Sequence, residues 1–151
     1  RPPISTLFPY TTLFRSAAVL KAYNIKSTGL RNRGARQEET DRARRTDALR
    51  ICFTIGENPL ITPGKKEIYL RVARPDNVIL IYDKSDLYTF SYKGNKLQYS
   101  LRQTIDFTGK SQDVCVTWNK RNLDEETMAG RYSVSVYTDD NLIGETSFEL
   151  K

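Results

Sequence analysis

Two cysteines, Cys52 and Cys115, are the most reactive side chains in a 151-residue sequence that has no histidine. Its absence removes the commonest general base, zinc ligand and pH switch together. With no imidazole to activate either thiol, the pair points to a disulfide or to two separate thiols, not to catalysis. Other candidates for chemistry are weaker. The segment "GENPLITPGKK" contains Gly64-Lys65, but Pro59 stands where a phosphate-binding loop places its first glycine, and Lys66 where it places Ser or Thr. Asp139-Asp140 and Asp124-Glu125-Glu126 are adjacent carboxylates in polar segments. Acid–base pairs need unlike environments to separate their pKa values, so both groups read as solvated. "TDDNLIGE" lacks calcium-loop spacing and reads as a hairpin turn. These residues argue against an enzyme and imply no cofactor and no metal.

The charge is more informative. From Lys21 to Arg50 there are nine Lys/Arg against four Asp/Glu; from Ile51 to Lys151 there are thirteen against fourteen. The positive excess is therefore local, in "LRNRGARQEETDRARRTDALR". Arg31, Arg33, Arg36, Arg42, Arg44 and Arg45 are the candidate contacts for a partner or an anion. The plainer reading is a solvated connection between strands. A second candidate surface is aromatic. Tyr88, Phe90, Tyr92 and Tyr99 lie near Lys93, Lys96 and Arg102, and exposed rings there could stack on bases. Buried rings would instead be the packed row of a hairpin. No apolar run is long enough to span a bilayer.

The elements that must position these groups are strands. Leu49, Ile51, Phe53 and Ile55 alternate with Arg50, Cys52 and Thr54; Ile68, Leu70 and Val72 repeat the pattern, as do Val114, Val116 and Trp118, and Tyr132, Val134 and Val136. "VLKAYNIKSTGL" reads as a first strand with Tyr23 and Ile25 on one face, after which Gly29 and Gly34 loosen the chain. Arg31–Thr46 should then form a long hairpin-like connection. "RPDN" is a turn, and "VILIY" a short apolar run that could be buried on both faces. "LYTFSYKGNKLQYSLRQTIDF" is the strongest hairpin signal, with Gly94-Asn95 at its turn. No helical period lasts beyond two turns. The expected fold is all-β, an immunoglobulin-like antiparallel β-sandwich of about seven to nine strands, with a partly open β-barrel as the alternative.

Cysteine parity restricts any bridge. Cys52 shares its face with Arg50 and Thr54, and Cys115 shares its face with Asp113 and Thr117, so both lie opposite the apolar rows. A bridge through the core between sheets would turn those rows outward. A Cys52–Cys115 disulfide should therefore cross neighbouring strands of one sheet, with Cα atoms within about 7 Å. Trp118 follows the second cysteine, and Asp113 occupies the position of the tyrosine that precedes it in true immunoglobulin domains.

The N-terminal "RPPISTLFPYTTLFRS" fits neither a strand nor a signal peptide. It resembles the translation of a common sequencing adapter at every position except Ile4. The resemblance implies a non-native, disordered tail over residues 1–16. Residues 17–151 would then be one β-sandwich domain, the C-terminal fragment of a longer protein. From Leu20 onward, "ALRICFTIGENPL", "GKKEIYLRVARPD", "YTFSYKGNKLQYS", "QDVCVTW" and "GRYSVSVYTDDNLIGETSFELK" carry a second likeness. They resemble the C-terminal β-sandwich of bacterial membrane-anchored coiled-coil envelope proteins of unknown function. That resemblance implies an anchor and a coiled coil upstream of Ala17. It also implies a periplasmic location in the cell envelope, with the cytoplasm as the alternative. The expected work is noncatalytic: protein–protein contact or spacing, through a sheet edge or the basic segment. The alternative is a nucleic-acid-binding β domain using residues 31–45.

Overall fold

The computed structural model describes residues 19–82, 85–121 and 125–151. The adapter-like residues 1–16, the start at Ala17 and the carboxylate of Asp124 lie outside them. Two four-stranded antiparallel sheets face each other across one core. The first has the order β2-β1-β3-β8, built from β1 (Ala22–Arg33), β2 (Arg36–Thr40), β3 (Ala48–Ile55) and β8 (Gln112–Asn119). The second has the order β10-β9-β4-β7, from β4 (Gly64–Ala73), β7 (Leu101–Phe107), β9 (Gly130–Thr138) and β10 (Asn141–Leu150). The chain changes sheet between β3 and β4, β7 and β8, and β8 and β9, so the fold is an immunoglobulin-like sandwich and not a closed barrel. A separate hairpin, β5 (Thr89–Tyr92) and β6 (Asn95–Gln98), brings the strands above the seven to nine expected.

Alternation builds the core. Ile51, Ile55, Ile68, Leu70, Val72, Val134 and Val136 are fully buried between the sheets. Burying one such side chain contributes about 1.5–3 kcal/mol, so this layer holds the sheets together. Tyr132 joins it, stacked on Phe148 with ring centroids 5.3 Å apart. Its hydroxyl donates to the Met128 carbonyl at 2.6 Å, which supplies the partner a buried phenol needs. Burial also raises the phenol's pKa above its ordinary value.

Four local expectations change. The basic segment is hairpin-like as expected, but its arms are strands: Gly34 adopts a left-handed φ of 62° and lets Arg33 and Arg36 face each other across a tight turn, so the connection is much shorter than Arg31–Thr46. Gly29 does not loosen β1; it is buried within it. "VILIY" is not doubly buried. Val78 is exposed, and the run folds back along the end of β4 through Leu80 N–H to the Val72 carbonyl. Finally, the β5–β6 turn is Lys93-Gly94, one residue earlier than expected, with φ values of 48° and 83°. Tyr92 then pairs with Asn95.

Gly29 is where four segments converge. A Cβ there would lie 2.6 Å from the Thr40 carbonyl oxygen and 3.0 Å from the Thr46 hydroxyl. Backbone cannot yield as a flexible side chain can. Gly29→Ala should therefore cost about 1–3 kcal/mol. Urea unfolding should show a lower midpoint, and hydrogen exchange should place the loosening at the β1–β2 ladder. A wild-type midpoint would contradict the close approach.

Candidate interaction surface

The cysteines lie on adjacent strands. β3 and β8 pair so that Cys52 stands directly opposite Cys115, and a disulfide joins them. Their Cα atoms are 4.1 Å apart, near the spacing of a non-hydrogen-bonded antiparallel pair. The bridge sits on the outer face of the first sheet, with Cys115 exposed, while Ile51, Phe53, Val114 and Val116 fill the inner face. Beside it Thr54 donates to the Asp113 carboxylate at 2.7 Å. The disulfide therefore staples strands that are already hydrogen-bonded, and it lies outside the apolar layer between the sheets.

The arginines divide into two groups. Arg31 and Arg33 are on β1, and Arg36 begins β2. Arg31 is the register partner of Glu38, and Arg33 is ion-paired to Glu38 at 3.4 Å. Glu39 likewise engages Arg50 at 3.0 Å. Acidic residues on β2 thus neutralise part of the charge, and the signal was the Glu38-Glu39 pair across the turn. The second group lies on a short 3-10 turn. Ala43 buries its side chain and its N–H donates to the Lys151 carbonyl at 2.8 Å, while the Thr46 hydroxyl donates to the Arg42 carbonyl at 2.8 Å. That anchoring displays Arg42, Arg44 and Arg45 outward.

Arg42 and Arg45 share an open depression with Lys26, Ser27 and the end of β10. Lys26 was not singled out by the sequence, because only the pairing of β1 brings it there. Arg36 lies at the far end of β2, and a strand of that length spans about 13 Å between its first and last residue. Exposed charges that far apart are largely screened at physiological salt, where the Debye length is about 8 Å. The structure thus builds two cationic patches joined by an edge strand, not one continuous track. No ion pair engages Arg36, Arg42, Arg44 or Arg45 among the described residues. Among the described residues, β2 pairs with no other strand on its outer side.

The aromatic row forms a third layer. Ile68 and Leu70 face the core, so Tyr69 points outward, where Phe90 stacks on it at 4.6 Å with planes 6° apart. Tyr137 receives both Phe90 and Tyr92, at 5.2 and 5.0 Å, and Tyr88 meets Tyr99 edge-on at 6.0 Å. Phe90 is buried and the three tyrosines are half-buried. The rings are spent on one another. The hairpin is pinned at its turn, where Lys93 N–H donates to the Asp140 carboxylate at 2.5 Å. Asp139 pairs with Lys66 at 2.9 Å. The adjacent carboxylates at 139–140, though exposed, thus hold the second hairpin and β4 in place. In the "RPDN" turn Arg74 grips Asp76 through two bonds, 3.0 and 2.6 Å long, which hold that carboxyl below its ordinary range.

Among the described residues, no three metal-ligating side chains converge, and no helix is long and apolar enough to cross a membrane. Fold and surface together define a disulfide-stapled antiparallel β-sandwich with a cationic edge hairpin. Residues 23–151 match the model of a domain of unknown function (DUF8428), and the chain belongs to that family. No curated protein matches it. Among solved structures, it is similar to the Pseudomonas fluorescens alkylpurine DNA glycosylase AlkC bound to DNA containing an abasic site analog, at 14% identity and a TM-score of 0.45, over 89% of this chain and 31% of that one. It is also similar to the Kluyveromyces marxianus β-glucosidase in complex with glucose, at 13% identity and a TM-score of 0.44, over 89% of this chain and 14% of that one. A third, the Listeria innocua β-glucosidase, is 12% identical with a TM-score of 0.43, over 86% of this chain and 16% of that one. The chain spans less than a third of the length of each.

Proposed function

We propose that this domain is a noncatalytic interaction or spacer module of a bacterial cell-envelope protein, and that it meets a protein partner through the β1–β2 hairpin. One observation carries the reading: among the described residues, β2 is an edge strand with an unpaired outer side, flanked at both ends by arginines without ion-paired acidic partners. Such an edge is a template for strand addition, and the guanidinium groups favour carboxylates or carbonyls on the arriving chain. The resemblance to anchored coiled-coil envelope proteins supports the location. So does the Cys52–Cys115 bridge, since disulfides persist in oxidising compartments such as the periplasm.

Site-specific photo-crosslinking in the bacterium that carries the protein tests this. A crosslinking residue at Arg36 or Arg44 should capture one discrete protein species, while one at exposed Ser147 should not. Arg36→Glu, Arg42→Glu, Arg44→Glu and Arg45→Glu together should reduce that capture on the order of tenfold, because the rim charges that steer association are reversed. Capture from Ser147 alone would overturn the assignment of the surface. Labelled single-stranded DNA and RNA form the other arm. Binding that collapses as salt rises would favour the nucleic-acid reading instead. The packing of Phe90 against Tyr69 leaves little ring face for bases on the aromatic hairpin, so such binding would rest on the basic residues 31–45.

A further inference from the structure

A second concavity lies at the end of the sandwich, lined by residues 78–82, by Trp118 of β8 with Lys120 and Arg121, by residues 125–128 and by Tyr132 of β9. It encloses about 370 Å³, within the range of small-molecule sites, about 300–1,000 Å³. Its floor is apolar: Leu49 and Tyr132 from the core, with Leu80 packed against them. Val78 and Met128 flank it and remain exposed. One wall is a ladder. The Arg121 guanidinium lies 4.1 Å from the Tyr82 ring centroid, and Tyr82 stacks with Trp118 at 6.3 Å and 15°.

Several polar groups of this site are already engaged. Arg74 is held by Asp76, Lys120 donates to the Thr127 hydroxyl at 3.0 Å, and Tyr132 donates to Met128. The Arg121 guanidinium, by contrast, lies over Tyr82 and has no ion-paired carboxylate among the described residues. We infer that this cavity binds a small amphipathic molecule: an aliphatic or aromatic body seated on Leu49, Leu80 and Tyr132, and a carboxylate-like head taken by Arg121. Glu125 and Glu126 line the same site as exposed carboxylates, so they disfavour a second negative charge on the ligand.

The chain provides its own reporter, because Trp118 is its single tryptophan. Titration of decanoate into the oxidised protein should shift and saturate the Trp118 emission. Decyltrimethylammonium, with the same chain and the opposite head, should need at least about tenfold more to produce half the change, a difference of roughly 1.4 kcal/mol. Arg121→Ala should abolish that preference while retaining the apolar contribution. Leu80→Phe, which fills the cavity, should weaken decanoate about tenfold, provided its thermal midpoint shows that it folds. The fourfold arginine reversal described above should leave the titration unchanged, so failure of either idea is distinguishable from failure of the other. No saturable emission change with any probe, or equal affinity in Leu80→Phe, would overturn the inference.

Discussion

Cys52→Ala with Cys115→Ala is expected to lower the unfolding free energy by about 4 kcal/mol and the thermal midpoint by roughly 10–15 °C. The bridge closes a loop with a sequence separation of 63. In the chain-entropy description such a loop falls between a 15-residue closure, about 3 kcal/mol, and a 100-residue closure, about 4.7 kcal/mol. The native side adds little offset, since β3 and β8 are paired along Ala48–Ile55 without the bridge and both sulfurs are off the core. The effect thus acts on the unfolded chain. Circular dichroism melts of the oxidised protein, the reduced protein and the double variant check it. The last two should coincide, well below the first. Equal midpoints for all three would mean that the bridge imposes no constraint. Because domains of this size are stabilised by only about 5–15 kcal/mol, a loss of about 4 kcal/mol would remove a large share of the stability.

The second large effect is expected at Tyr132. Tyr132→Ala should cost about 3–5 kcal/mol, the range for removing a buried aromatic side chain. It deletes the stack with Phe148 and opens a void beside Val72 and Val134, all of which belong to one core cluster. Tyr132→Phe should cost only about 1 kcal/mol, because the ring remains and one hydrogen bond is lost. The two variants separate packing from polarity. In urea unfolding the alanine variant should lose most of the transition's free energy. The phenylalanine variant should keep it, but show faster amide exchange around Met128. A similar cost for both would mean that the hydroxyl, not the ring, anchors β9.

The alternating rows of β3, β4, β8 and β9 were legible because strand periodicity is a local property. Each apolar residue two positions from the next must share its face, wherever the strand ends up. Cysteine parity was legible for the same reason: Cys52 and Cys115 both oppose the apolar rows, so a bridge had to lie within one sheet. That β3 and β8 are neighbours is a long-range fact, decided by how two sheets close over Ile51, Val116 and Leu70. The aromatic hairpin shows the limit from the other side. Its strands were evident, but whether its rings face water depended on Tyr69 and Tyr137, which alternation had assigned only to a polar face.

For the arginines, the sequence alone determined how many there were and that they were concentrated before Arg50. Only the tertiary structure decided which were neutralised, since Glu38 and Glu39 reach their partners across the β1–β2 turn and the β1–β3 pairing. It likewise decided that "VILIY" would lie along the end of β4 and wall a cavity. A continuous apolar run specifies burial somewhere, but the surfaces available to cover it come from segments distant in the chain. Composition and local alternation thus determine this protein's strands, turns and charge. Register and sheet stacking, which are settled by collective burial, determine which of those residues meet.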